Sequence, residues 1–226
     1  MNRKFRLLDL FCGAGGCSVG YHRAGFEVAG VDNRSMPRYP FEFHQADALE
    51  FVAAHGHEFD AIHASPPCQA YSEDMRHLSS GQAEKLIDPV RELLQQFGRP
   101  WVIENVEGSP LSTASGLFGE HGVLLCGTQF SLRIWRHRKF ETSFACASPG
   151  PCRHNGKPIN PHREDSRQRM RAEFGQVDLE AIWRREAGVE WMDRNTGRQA
   201  IPPAYTEFIG RQLLDLLIRR ADDSTH

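Results

Sequence analysis

The sequence predicts an α/β fold: a mostly parallel sheet with helices on both faces. Three observations carry this. Short apolar runs alternate with helix-like stretches through the first half of the chain. Charged residues Asp9, Asp32 and Glu104 fall at or near the carboxyl ends of those runs, where open α/β sheets place their ligand sites. A chain of 226 residues, 40% hydrophobic and 25% charged, is long enough for one well-buried core.

The elements follow in order. FRLLDLF is the first strand, GCSVGYHRAG a helix and FEVAGVD the second strand. A third strand-like run precedes QADA, DALEFVAAHG is a short helix and FDAIHAS a buried strand. AEKLIDPVRELLQQF is a helix and PWVIENV another strand. GVLLCGTQF and HRKFETSFA are expected as strands, and the turn-rich CASPGPCRHNGKPINPHRED follows the second of them. Periodicity is weakest between Lys139 and Asn195, and no fold is assigned there. It returns in PPAYTEFIGRQLLDLLIRR, a helix with prolines at its start, and the closing DDSTH is expected to fray.

The net charge of −2 hides an asymmetry: Arg133 to Arg171 carries ten Lys/Arg against three Asp/Glu. A field of that sign suits a phosphate backbone. The six cysteines are irregularly spaced, with no secretory signal or long apolar span, which points to a reducing cytoplasm and no membrane. Cys146, Cys152, His154 and His162 can be combined into a zinc site, but no two cysteines lie in CxxC spacing, and no metal is assigned.

DLFCGAGG follows a strand and opens a helix, so its glycines let backbone amides approach a ligand. Its spacing is not GxGxxG, and no pyrophosphate is implied. Asp32 is placed to bond ribose hydroxyls and Asp47 to reach an adenine edge. A glycine loop with two strand-end acids is an adenosine site without a phosphate clamp, which S-adenosylmethionine fits. Pro66 and Pro67 end the DAIHAS strand in a stiff turn, so Cys68 sits at the ligand edge and not inside the core. Glu104 ends a neighbouring strand, where an apolar flank raises a carboxyl pKa. A nucleophile and a proton donor on adjacent strand ends can activate an electron-poor ring.

DLFCGAGG, GVD, PPCQAYS, ENV, the Arg-x-Arg of WRHRKFE and AIPPAYTEFIG occur in the order of the DNA cytosine-5 methyltransferase family, which the chain resembles from Leu8 to about Gly210. The resemblance implies a Rossmann-like S-adenosylmethionine-dependent methyltransferase fold and methyl transfer to C5 of cytosine in DNA. It implies Cys68 as the nucleophile at C6, Glu104 at N3, and Arg138 at O2 with Arg136 nearby. Asp9, Phe11, Gly13, Gly15, Asp32, Asp47, Pro66, Gln199 and Ala200 match the cofactor site. Gln69 and Ser72 fall in the loop that meets the DNA near the target base, which such enzymes extrude. The chain departs from the family in having Ile134 for the usual Gln, and Arg198 and Gln199 for the usual Gly and Asn.

The implied organisation is a catalytic and cofactor-binding core over 1–138, a reduced target-recognition insertion over 139–197 and a return to the core over 198–226. So short an insertion is expected to read two to four base pairs, or to borrow its reading from a protein partner. Two rivals stay open: the same chemistry on RNA, a free cytidine nucleotide or a modified cytosine, and a catalytically idle DNA-binding module.

Overall fold

Side chains alternate between the faces of a strand, so a strand covered on both sides carries apolar groups at consecutive positions. Leu7, Leu8 and Leu10 of β1 (Arg6–Leu10) are all fully buried. The computed structural model describes residues 3–71, 85–113, 121–161 and 163–223. Among these residues β1 sits third in a seven-stranded sheet of order β3-β2-β1-β4-β5-β7-β6. The other strands are β2 (Glu27–Asp32), β3 (Glu42–Gln45), β4 (Ala61–Ala64), β5 (Trp101–Val106), β6 (His121–Leu125) and β7 (Arg138–Thr142). The first five are parallel, and β7 runs antiparallel between β5 and β6. The chain steps outward from β1 to β3 and then crosses to β4 on the other side of β1. That reversal opens a crevice at the carboxyl ends of β1 and β4.

Leu7, Val28, Ala61 and Val102 face one core, closed by α1 (Gly16–Ala24) and α7 (Pro203–Asp223). Leu8, Ala29, Ile62 and Ile103 face the other, closed by α2 (Ala48–His55) and α3 (Ile87–Gln96). The chain preceding α7 is pressed against the start of α1: a Cβ on Gly16 would lie 2.5 Å from the Ile201 carbonyl oxygen, so only glycine permits the approach. Thr206 adds a buried bond from its hydroxyl to the Cys17 carbonyl, 2.8 Å. α7 continues to Asp223, past the start of the stretch expected to fray.

Three short helices start within 139–195, where no fold was assigned: α4 (Glu164–Phe174), α5 (Leu179–Ala187) and α6 (Arg194–Gln199). Their signals were local. Asp178 caps α5 by accepting from the Glu180 amide at 3.0 Å, Gly188 closes it in the left-handed region, and Asp193 caps α6. Their apolar residues, among them Met170, Ile182, Trp183 and Val189, form a third core with Ile134, Ile159 and Ala14. This explains Ile134: the position is packed under the helices, where an amide would lose its water. GVLLCGTQF is a strand only to Leu125 and then a 3₁₀ turn over Gly127–Phe130.

The basic stretch is more neutral than its sequence suggests. Arg133 pairs with Glu173 at 2.7 Å, Arg138 with Glu104, Arg163 and Arg169 with Asp165, and Arg167 with Glu164.

Candidate functional site

The loop after β1 turns sharply. Phe11 has φ of 58°, unusual for a residue with a side chain, and Gly13 and Gly15 are also at positive φ. The turn is tied across the crevice, since the Gly13 amide donates to Asp32 Oδ2 at 3.1 Å while Asp32 Oδ1 accepts from the Arg34 amide at 3.0 Å. At Gly15 a Cβ would meet the Tyr39 ring at 3.1 Å, so the loop lies flat on that ring. Asp47 caps α2, its Oδ1 accepting from the amides of Leu49 and Glu50. The structure thus gives this acid, chosen for an adenine edge, a structural task as well.

Asp9 is fully buried behind the loop, where Ser18 donates to its Oδ2 and Oδ1 has no hydrogen-bond partner among the described residues. Burial pushes its carboxyl up to about 7 against the pull of Ser18, and the charges of Glu104 and Asp32 push the same way. A left-handed glycine loop, a strand-end acid holding it and a buried carboxyl oxygen without a partner together fit an adenosine-bearing cofactor with a cationic tail.

Cys68 follows β4 on a turn braced from two strands. The Ser65 amide donates to Leu10 O at 3.1 Å, and Asn105 Nδ2 donates to the Pro66 carbonyl at 2.8 Å from a buried position on β5. Asn105 is itself held, its Oδ1 accepting from the Val106 amide. Pro66 is buried, Cys68 half-buried and Gln69 exposed; Ser72 lies outside the described residues.

Glu104 is buried on β5, and the antiparallel register sets it opposite Phe140, two residues from Arg138 on the same face. Arg138 Nε lies 3.1 Å from Glu104 Oε1 without the alignment of a hydrogen bond, leaving that oxygen without one among the described residues. Burial raises the Glu104 carboxyl above its ordinary value; Arg138, a hydrogen bond from Ser65 and Arg136 oppose the shift. Burial and the like charge of Arg138 pull the Arg136 guanidinium down to about 9, while Glu104, Tyr205 and Cys68 pull it back up. Glu104, Arg138 and Arg136 therefore form one charged cluster, and the Cys68 thiol lies within electrostatic reach of Arg136. Arg136 is fixed at both ends: its backbone carbonyl accepts from Tyr205 OH at 2.6 Å, and Nη2 donates to the Gln199 carbonyl at 3.1 Å.

Gln199 thus serves Arg136 through its backbone while its side chain is exposed, and Ala200 packs in the third core beside Ala14. Trp191 Nε1 donates to Ala14 O at 2.9 Å and so ties the helical insertion to the glycine loop. Sequence reasoning missed Ser18, Ser65, Asn105, Trp191 and Tyr205. Only Asn105 had a visible signal, a polar residue inside the apolar WVIENV run. The zinc combination weighed from sequence does not assemble: Cys146 is buried against Gln212, whose Nε2 donates to its sulfur at 3.4 Å, and His162 is outside the described residues.

Comparison with known families matches residues 5–112 to C-5 cytosine-specific DNA methylase. Type II methyltransferase M.HgiGI of Herpetosiphon aurantiacus is 36% identical over 122 residues, 47% of this chain and 94% of that protein. M.HgiDI of the same organism is 34% identical over 137 residues, 53% of this chain and 44% of that protein. M.FnuDI of Fusobacterium nucleatum is 31% identical over 112 residues, 46% of this chain and 33% of that protein. The chain therefore spans less than half the length of the last two. Among solved structures, the S. pombe Dnmt2 methyltransferase superposes with a TM-score of 0.61 at 14% identity, over 95% of this chain and 99% of that one. Entamoeba histolytica methyltransferase EhMeth gives 0.59 at 12%, over 96% and 99%. At these identities the likeness is one of fold, and it is the Rossmann-like methyltransferase fold the motifs implied.

Proposed function

The chain belongs to the C-5 cytosine-specific DNA methylase family, and we propose that it methylates C5 of cytosine in DNA through a covalent bond between Cys68 and C6. The observation that supports this most directly is the bracing of the Cys68 turn by Asn105, the neighbour of Glu104, so that one strand holds both nucleophile and acid in register. Phe11, Gly13, Gly15 and Asp32 form the loop for S-adenosylmethionine, with Asp9 behind it, Asp47 and Pro66 at the strand ends and Gln199–Ala200 as the far wall. Bound there, S-adenosylmethionine supplies an electrophilic methyl group.

The chain's own residues prepare the ring. Cys68, as thiolate, adds to C6 while Glu104 gives a proton to N3, and the electron pair of the former C5–C6 double bond becomes available at C5. Raising the Glu104 pKa keeps that proton on the carboxyl closer to neutral pH. Arg138 donates to the cytosine O2 and also holds Glu104 in place, and Arg136 supports Arg138. Once C5 is methylated, loss of its proton and expulsion of the Cys68 thiolate restore the aromatic ring, and N3 returns its proton to Glu104. The thiol and the methyl donor need opposite faces of one ring, so the base must leave the stack.

Residues 139–197 are the target-recognition insertion in this reading, with 1–138 and 198–226 as the catalytic core. Gln69 and Ser72 after Cys68, with Arg153 and Lys157 of the insertion, are the phosphate contacts, which position a duplex without specifying it. The insertion accordingly reads a short site, by itself or with a protein partner. Among the described residues no helix is long and apolar enough to cross a membrane, and we place the enzyme with DNA in the cytoplasm.

A duplex carrying 5-fluorocytosine tests the chemistry, because fluorine at C5 cannot leave as a proton. Wild-type protein with S-adenosylmethionine should give a denaturation-resistant adduct and Cys68→Ser none; an adduct in the variant refutes the assignment. Tritium release from C5-labelled duplex DNA, transfer RNA and dCMP separates the substrates, and bisulfite sequencing of a methylated mixed-sequence plasmid reads the recognised site.

A further inference from the structure

Between β6 and the segment after β7, four metal-ligating side chains meet that no step of the methyl transfer uses. Cys126 follows the end of β6, His137 precedes β7, and Cys152 and His154 lie in the stretch 143–161, which has no helix or strand. One ligand atom from each lies within 4.8 Å of all the others. Cys126 Sγ is 3.4 Å from His154 Nε2, and Cys152 Sγ is 3.6 Å from His137 Nε2. A tetrahedron with Zn–S of about 2.3 Å and Zn–N of about 2.0–2.1 Å has sulfur–nitrogen edges of roughly 3.5 Å. The two sulfur–nitrogen distances match that edge length.

We propose that Cys126, His137, Cys152 and His154 bind one zinc ion as a closed structural site. Two thiolates and two imidazoles are a donor set that suits zinc and cancels its charge, which matters beside Arg136 and Arg138. The surroundings are those of metal ligands. Glu107 Oε2 lies 3.7 Å from His137 Nδ1, on the ring nitrogen opposite the ligating one, where a carboxylate orients the imidazole. Thr128 donates its hydroxyl to Cys126 Sγ at 3.5 Å, a bond that steadies a thiolate. Trp135 stacks on the His154 ring at 4.6 Å between centroids. An apolar core does not account for the group, since Cys126 is buried, His137 and Cys152 are half-buried and His154 is exposed. Four protein ligands leave no open position, so the ion's task is mechanical. It fastens a segment without a backbone ladder to the turn that carries both arginines.

The test is the metal content of the reduced, full-length protein. One zinc per chain is expected, displaced by Co²⁺ to give the absorption of a tetrahedral cobalt–thiolate site. Cys152→Ser and His154→Ala should each weaken zinc binding more than about a hundredfold in chelator competition, and Glu107→Gln roughly tenfold. Cys146→Ser, which lies outside the group, should keep its zinc. His154→Ala is the decisive variant because removing an exposed ring spares the core. Reduced wild-type protein that takes up neither added Zn²⁺ nor added Co²⁺, a disulfide joining Cys126 and Cys152 in protein purified under reducing conditions, or full zinc retention in His154→Ala would each overturn the proposal.

Discussion

The turn carrying Cys68 and the turn carrying Arg136 and Arg138 meet in one site but are held by different forces. The first leaves a strand inside the parallel sheet, its backbone bonded to β1 and, through Asn105, to β5, both neighbours of β4. The second leads into β7, one strand in from the edge of the sheet, which pairs antiparallel with β5 and β6. Groups distant in sequence hold it, the Tyr205 hydroxyl from α7 and the Gln199 backbone carbonyl at the end of α6, while Ile134 of the same turn packs under the insertion and the proposed zinc group adds a further tie. The difference teaches that the position of Cys68, the proposed nucleophile, follows from the sheet, whereas that of the arginines depends on how the second half of the chain folds over it.

The comparison breaks first at Glu104, where the two turns join. Glu104→Gln removes the proton for N3 and should lower kcat by about 10²–10⁴-fold. It should also abolish the fall in activity as the carboxyl of the wild type ionises at rising pH. A variant that keeps this limb assigns it to another group.

The two turns can then be loosened one at a time. Asn105→Ala leaves the Pro66 carbonyl unsatisfied in a buried place and should cost about 1–3 kcal/mol in urea unfolding. Because it frees the nucleophile's turn, adduct formation should slow about ten- to a hundredfold with little change in the KM for DNA. Tyr205→Phe deletes one bond to the Arg136 carbonyl, costing about 1 kcal/mol, and should raise the KM for DNA more than it lowers kcat. If both variants shift kcat and KM in the same proportion, the turns are one mechanical unit and the distinction fails.

A pH slope inside the sheet leaves activity aside and appears only in stability. Asp9 and His63 are register partners on β1 and β4, both buried under α1, where Ser18 bonds the first and Tyr21 the second. Burial raises Asp9 to about 7, above its unfolded value of 3.8, so its contribution to stability is whole below about pH 4 and lost as pH rises through 7. Burial lowers His63 to about 3 from 6.5, so its contribution is whole above about pH 6.5 and lost as pH falls toward 3. Between pH 4 and 6.5 the slopes oppose and the wild type should be nearly flat. In Asp9→Asn only the histidine remains, and stability should climb over that interval by roughly 2–3 kcal/mol. Urea unfolding at stepped pH without cofactor reads this: a flat variant would mean that burial does not lower His63, and a wild type that climbs as steeply as the variant that burial does not raise Asp9.

The local sequence determined the parallel core, because each strand's evidence lies within it: apolar runs buried on both faces, punctuated by glycine or by Pro66-Pro67, with acids at the ends. The strand-end positions of Cys68 and Glu104, the proposed catalytic pair, and of the acids proposed for the cofactor were legible for the same reason. Asp178, Leu179, Ile182, Trp183 and Gly188 also spelled a capped helix, though the turn-rich stretch before it masked the pattern. Only the tertiary structure decided that Asn105 braces the nucleophile, that Trp191 reaches Ala14 and that Tyr205 holds Arg136, since these bonds join residues 39 to 177 positions apart. It also decided the four-ligand group: Cys126 stands eleven residues before His137, which lies between the two arginines. Cys152 and His154 are brought to them by the packing of a segment with no periodicity of its own. A short-range pattern reports the geometry of one element, and a ligand set assembled from three loops has no such pattern to leave.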